Sequence, residues 1–135
     1  MSLAAASAPP RWKSAGLWVV RGLLALAFVG AGGAKLYGVP MMVQEFEHIG
    51  LGQWFRYLTG ALEVLGALLI LTPSLAAFGA LLLIGIMIGA TITHLFVIGG
   101  TAVPALVLLA LSAIVAYAKR GQIASLAKRS LAKSL

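Results

Sequence analysis

The sequence predicts an all-α fold, an integral-membrane antiparallel four-helix bundle. Three observations carry that prediction. Of the 135 residues, 61% are apolar and only 10% are charged. Four apolar stretches approach the length of about 20 residues that a helix needs to cross a bilayer. The turns between the later stretches are too short for anything but antiparallel neighbours. A soluble domain carries roughly 25% charged residues, and with a mean hydropathy of +1.05 this chain lacks the side chains to cover itself in water.

The first span is expected over 16–36, opening at Gly16 and closing at Leu36. The second, 55–72, runs from Phe55 to Thr72, and the third, 75–98, from Leu75 to Ile98. The fourth, 102–118, carries Pro104 in its first turn, where a missing N–H costs little. Pro73-Ser74 and Gly99-Gly100-Thr101 are the breakers between spans two and three and between three and four. The connection from Tyr37 to Trp54 is longer, with Gly38, Pro40, Gly50 and Gly52 as breakers. Between them, Met41 to Ile49 reads as a short amphipathic piece. Val43, Phe46 and Ile49 are expected against the bilayer, with Gln44, Glu45, Glu47 and His48 towards water. The spans leave an N-terminal tail, 1–15, and a C-terminal tail, 119–135, and no separate soluble domain.

Orientation follows from lysine and arginine outside the spans. Arg11 and Lys13 precede the first, and Lys119, Arg120, Lys128, Arg129 and Lys133 follow the last, whereas the short turns carry none. Both termini are therefore expected in the cytoplasm, with the long loop, carrying Glu45 and Glu47, outside. A late start and a full-length apolar stretch argue against a cleaved secretory leader in the first span. Ile123, Leu126, Leu131 and Leu135 fall near one face of the C-terminal tail, with the basic residues over the remainder. That pattern describes a helix lying on anionic inner-leaflet lipids. The net charge of +7 is explained by these tails, so no nucleic-acid partner is expected.

With no cysteine, the chain holds no disulfide, thiol redox centre, iron–sulfur cluster or thiolate zinc site. His94 is the only histidine inside a span, which disfavours a self-sufficient haem protein. No spacing of His48, His94 and the three glutamates suggests a metal site. A small proton-coupled transporter is a minor alternative. In small multidrug exporters an acidic residue is expected in the first span, and here Arg21 and Lys35 stand there instead.

Charge inside a bilayer costs several kcal/mol, so four residues demand a reason: Arg21, Lys35, Glu63 and His94. Arg21 and Lys35 lie near opposite ends of span one, where each can snorkel. Arg21 is read as a structural or interfacial charge. Glu63 lies roughly seven residues, about 10 Å, inside span two, beyond the reach of a short carboxylate to the surface. It must be protonated, paired or functional. Antiparallel packing places Lys35, Arg56, Glu63 and His94 together in the outer half of the bundle, as candidates for ligand binding or proton handling. The competing reading is a polar clasp that orients the helices and does nothing else. Among the glycines, Gly60 and Gly66 flank Glu63, and Gly85 with Gly89 makes the Gly-x-x-x-Gly spacing of close helix pairs. All four are expected to pack helices within the bundle, as are Gly30, Gly32 and Gly33.

These residues resemble the DoxX-like family of small four-span membrane proteins. The likeness begins with Arg21 and the run Phe28 to Leu36, with its glycines and Lys35. It continues through Phe46 and Gly50, then Tyr57, Gly60, Glu63 and Gly66, then Pro73, and ends on Gly89, Ala90 and His94. It covers about three-quarters of the chain and rests on order and placement, since no single motif is specific. The resemblance implies a bacterial inner-membrane bundle and places the family's polar positions on Arg21, Lys35, Glu63 and His94. It further implies association with membrane oxidoreductase systems, including quinone-linked ones, for some relatives, and assembly roles for distant ones.

Two functions are therefore expected in competition. One is an accessory subunit of a membrane oxidoreductase that binds a quinone-like ligand in the outer polar pocket, with no intrinsic cofactor and a redox protein as partner. In it, Lys35 or Arg56 donates to the head group, His94 relays protons, and Glu63 fixes the imidazole. The other is a non-enzymatic assembly or interaction factor.

Overall fold

The computed structural model describes residues 10–135 and is helical throughout, with no strand among them. Helix α1 spans Arg11–Tyr37, α2 Pro40–Ile49, α3 Gln53–Leu71, α4 Ala76–Thr93, α5 Val103–Ala118 and α6 Arg120–Ser134; a π-helical turn, His94–Ile98, extends α4. Four of these, α1, α3, α4 and α5, form the bundle. Helix α3 packs between α1 and α4, α5 packs on α4, and a sparser α5–α1 seam closes the ring.

The helices run antiparallel. Arg21 of α1 meets Ile70 of α3, Gly32 meets Gly60, and Lys35 meets Arg56. Likewise Gly66 of α3 meets Leu83 of α4, while Gly79 meets Ile70. One end of the bundle therefore holds the 72–75 turn and α6, the tail end. The other, the loop end, is covered by α2.

Helices α1 and α3, and α4 together with its π-helical turn (Ala76–Ile98), are long and apolar enough to cross a membrane. Helix α5 has 16 residues, about 24 Å at 1.5 Å per residue, and meets α6 at a bend of 54°. The membrane-facing surface explains the composition. Leu26, Leu68 and Phe96 are exposed although fully apolar, because hydrocarbon rather than water surrounds such a bundle. Leu24 and Phe28 of α1, Ile70 of α3, Leu83 of α4 and Val115 of α5 fill the interior.

Helix α1 is longer than the span read from hydropathy, beginning at Arg11 just after Pro10, because a helix does not stop where its apolar face does. Of the expected N-terminal tail, 1–9 lies outside the described residues and 11–15 is helical. Most of the C-terminal tail forms α6, and its first turn is docked rather than solvated. Gln122 donates through Nε2 to Pro73 O at 2.6 Å, and its Oε1 accepts from Ala77 N at 3.0 Å. A single side chain thus serves one free amide at the start of α4 and one carbonyl of the preceding turn.

Candidate functional site

The site grows out of how α1 and α3 meet. A Cβ built on Gly32 would lie 2.7 Å from Gly60 O, and one on Gly60 would lie 2.9 Å from Gly32 O. Only glycine at both positions lets the backbones come this close. Glu63 stands beside Gly32 and Lys35 beside Gly60, so the two side chains flank this contact and Lys35 Nζ reaches back across it to Glu63 Oε2 at 3.1 Å. The carboxylate is 3% exposed and the ammonium 14%, so this is a buried ion pair joining two neighbouring helices. Glu63 Oε1 has no hydrogen-bond partner among the described residues.

The pair lines a cavity of about 640 Å³ in the loop half of the bundle. Its walls are mostly apolar: Phe28 and Ala31 from α1, Leu58 and Leu62 from α3, Ile86 and Met87 from α4, Leu108 from α5. Helix α2 closes it with Met42, Phe46 and Ile49. Phe46 packs on Phe55 with ring centroids 5.8 Å apart, and Gln53 Nε2 donates to Val43 O at 3.1 Å. This corrects the sequence reading of α2, which placed Phe46 against lipid and Glu45 towards water. The strongest apolar neighbours available to Phe46 are those of the bundle mouth, so it turns inward and is buried. Glu45 lines the cavity beside it.

His94 also lines the cavity, but it does not meet Glu63. Its Nε2 lies 3.8 Å from Glu45 Oε1, and its Nδ1 faces Gly99 O at 3.1 Å. The sequence left open whether Glu63 and His94 touch; the imidazole instead faces Glu45. Lys35 already occupies Glu63, and the π-helical turn that starts at His94 packs under α2. Glu45 was missed because its partner is set by how a loop helix folds over the mouth; its proximity to Glu63 in sequence was no guide.

The two buried arginines share a different task. Arg56 donates from Nη1 to Lys35 O, in the last turn of α1, and from Nε to Gln53 Oε1 at 2.6 Å. Its guanidinium lies over the Tyr57 ring, 4.3 Å from the centroid. At the opposite end, Arg21 Nε donates to Ile70 O, in the last turn of α3, at 2.6 Å, with Trp18 stacked 3.7 Å away. Each arginine therefore caps the C-terminal carbonyls of the helix antiparallel to its own, where the unsatisfied oxygens and the helix dipole favour a cation. Neither lines the cavity, so Arg56 leaves the set of residues the sequence grouped there. Arg21 does not snorkel either, being 1% exposed inside the bundle. Gly38 allows the Arg56 cap: its φ of 82° is open to glycine, and a Cβ there would sit 3.3 Å from Nη1.

The glycines separate into two groups. Gly60 and Gly66 sit in tight helix contacts, as do Gly32 and Gly79. A Cβ on Gly85 or Gly89 would meet nothing within 4 Å, which corrects the expectation that these two pack a helix. They line the cavity, and their missing side chains help to make its volume. Gly30 and Gly33 likewise face open space. Among the described residues no group of three or more His, Asp and Glu side chains is arranged to hold a metal ion.

No curated protein matches the chain significantly, and no solved structure does. A family model matches residues 19–117, which includes every cavity residue and both arginine caps. On that match, the chain belongs to the DoxX-like family.

Proposed function

We propose that this protein is an accessory subunit of a membrane oxidoreductase system and holds a quinone-like lipophilic ligand in the cavity beneath α2. The observation that carries the proposal is the Lys35–Glu63 pair on the wall of an otherwise apolar chamber. Such a chamber suits a flat or chain-bearing apolar molecule with a few polar atoms at one end. Lys35 spends one of its three donors on Glu63 and has two left, while Glu63 Oε1 is an unused acceptor. A neighbouring donor and acceptor match a ring that alternates between carbonyl and hydroxyl forms. A quinone, when bound, supplies the electron-carrying chemistry; the chain contributes binding, orientation and exclusion of water. His94 and Glu45, at the mouth, stand where a proton would pass between the chamber and the loop side.

In this reading the protein lies in a bacterial inner membrane with both termini cytoplasmic. Lys119, Arg120, Lys128, Arg129 and Lys133 rest on anionic lipid, and a redox protein partner exchanges electrons with the ligand.

The test is to purify the protein gently from its native membrane and analyse solvent extracts by mass spectrometry. A near-stoichiometric quinone that is lost in Glu63→Gln, with the variant still folded, is the expected result. A ligand content unchanged in that variant rejects the site. A second reading, a non-enzymatic assembly factor, draws support from the reciprocal arginine caps, which account for buried charge as bundle fixtures. It expects no small ligand and a reproducible membrane-protein partner in the same preparation.

A further inference from the structure

The seam between α3 and α4 is closed in the tail half of the bundle and parted in the loop half. A Cβ on Gly66 would lie 2.6 Å from Leu83 Cδ2, and one on Gly79 would lie 2.6 Å from Ile70 N and 2.8 Å from Leu69 Cβ. Carried one turn further, the same register sets Leu62 level with Met87. There both residues line the cavity, and a Cβ on Gly85 or Gly89 would meet nothing within 4 Å. Leu62 is one heptad from Leu69, and Ile86 one heptad from Gly79, so the faces that close the seam at one end border empty volume at the other. Helices α1 and α3, by contrast, stay joined along their length, at Arg21–Ile70 and again at Gly32–Gly60.

The parted stretch is open sideways. Leu58 of α3 and Leu81, Gly85 and Gly89 of α4 line the cavity and are also exposed on the outside of the bundle. On the opposite walls, Phe28 of α1 and Ala105 of α5 are buried. Gly85 stands about 14 Å from the start of the Ala76–Ile98 span, and Gly89 about 14 Å from its end, at 1.5 Å per residue. The gap therefore lies at mid-depth of a hydrocarbon core about 30 Å thick, and what borders it outside is lipid chain. An apolar cavity in that position stays dry and takes an apolar guest. Deeper in the same cavity, Glu63 keeps Oε1 without a partner among the described residues.

We propose that this gap is a window on the bilayer, through which an amphiphile with a single hydrocarbon chain enters the chamber sideways. Its polar head reaches Lys35 and Glu63, and its chain stays in the window against Leu58, Leu62, Gly85 and Gly89. The proposal rests on the reading of the chamber as a lipophilic-ligand site, and it narrows the ligand to one whose tail remains in the membrane. Glycine at 85 and 89 leaves width for such a chain, since a side chain at either position would stand in the opening. Helix α2, held by Phe46 on Phe55 and by Gln53 on Val43 O, covers the chamber towards the loop side. The ligand therefore comes from lipid and not from water.

The experiment is photolabelling of the full chain in phosphatidylcholine bilayers with trifluoromethyl-phenyl-diazirine, an apolar probe dissolved in the hydrocarbon, with insertion sites mapped by peptide mass spectrometry. The wild type is expected to be labelled on the buried Phe28 and Met87 as well as on the outward Leu26 and Phe96. Gly85→Phe and Gly89→Phe are each expected to lose the label on Phe28 and Met87 and to keep it on Leu26 and Phe96, which shows the bundle intact. If one variant fails to fold, the other decides. No label on Phe28 and Met87 in the wild type overturns the window, and so does label that persists at the wild-type level in the folded variants. Displacement then separates the window from the identity of the ligand. Decylubiquinone is expected to clear the inner label at a bilayer concentration at which the tail-less dimethoxy-methyl-benzoquinone does not. Equal displacement by the two overturns the place of the chain in the window. Inner label that depends on Gly85 and Gly89 but yields to neither quinone overturns the quinone reading of the chamber and upholds the window for a chain-bearing guest of another kind.

Discussion

Lys35 Nζ reaches Glu63 Oε2 at 3.1 Å across the point where Gly32, level with Glu63, and Gly60, level with Lys35, bring α1 and α3 into backbone contact. The pair is thus a consequence of the glycines: with any side chain between the helices, the two charges would stand further apart in a medium that does not tolerate either alone. Glu63→Gln leaves the ammonium without its counter-charge, and removing one partner of a buried pair costs about 3–5 kcal/mol. The double substitution Lys35→Met with Glu63→Leu is expected to recover most of the stability, since an apolar pair of similar volume is often as good. Melting in detergent measures both. Ligand extracted from the stable double variant tells binding apart from bundle fixing: it disappears if the pair holds the ligand.

Gly32→Ala sets a methyl 2.7 Å from Gly60 O and 2.9 Å from Val64 Cγ2. The backbone oxygen has nowhere to go, so the helices must part, at about 1–3 kcal/mol. Gly85→Ala meets nothing within 4 Å and gains helix propensity of up to about 1 kcal/mol. The same Gly-to-Ala change is therefore expected to lower the melting midpoint at 32 and to hold or raise it at 85. Because Gly85 lines the cavity, larger residues there should reduce ligand content while leaving the midpoint near that of the wild type.

The Glu45–His94 contact, at 3.8 Å with both side chains more than a quarter exposed, contributes under about 1 kcal/mol to stability. Its expected effect is local. Glu45→Gln should leave the melting midpoint almost unchanged and speed hydrogen exchange over Pro40–Ile49. Helix α2 would still be held by Phe46 on Phe55 and by Gln53 on Val43 O. An unchanged exchange rate in α2 would show that these two contacts hold the helix unaided.

Gln122→Ala removes two hydrogen bonds, to Pro73 O and from Ala77 N. At about 1 kcal/mol each, their loss is expected to free α6 from the 72–75 turn. Limited proteolysis after Lys119 and Arg120 reports it: cleavage should be faster in the variant, with the four bundle helices intact. Equal cleavage would mean that the apolar face of α6 is enough to dock it.

The division between sequence and structure runs along a physical line. Hydropathy, the Pro73 and Gly99-Gly100 breakers and the shortness of the turns specify apolar helices and their antiparallel order, because spanning a bilayer is a property of one segment and its composition. The intramembrane cost of charge singles out Arg21, Lys35 and Glu63 for the same reason. Partner choice is another matter, since it depends on which face each helix turns to its neighbours and on distances of a few ångströms. Arg56 and Glu63 lie on one face of α3, seven residues apart, yet Arg56 is spent on the carbonyl of Lys35 while Glu63 takes its ammonium. Gly85 and Gly89 have the spacing of a packing motif and instead border empty volume, while Gly79, in no such motif, meets Ile70 N at a Cβ distance of 2.6 Å. What the sequence determined by itself is a membrane bundle with an acidic and several basic groups buried in it. The tertiary structure alone decided that Lys35 is the residue that pairs with Glu63, that Glu45 rather than Glu63 faces His94, and that two arginines close the ends of each other's helices. Those outcomes follow from helix rotation and register, which only the packing of all the helices against one another can set.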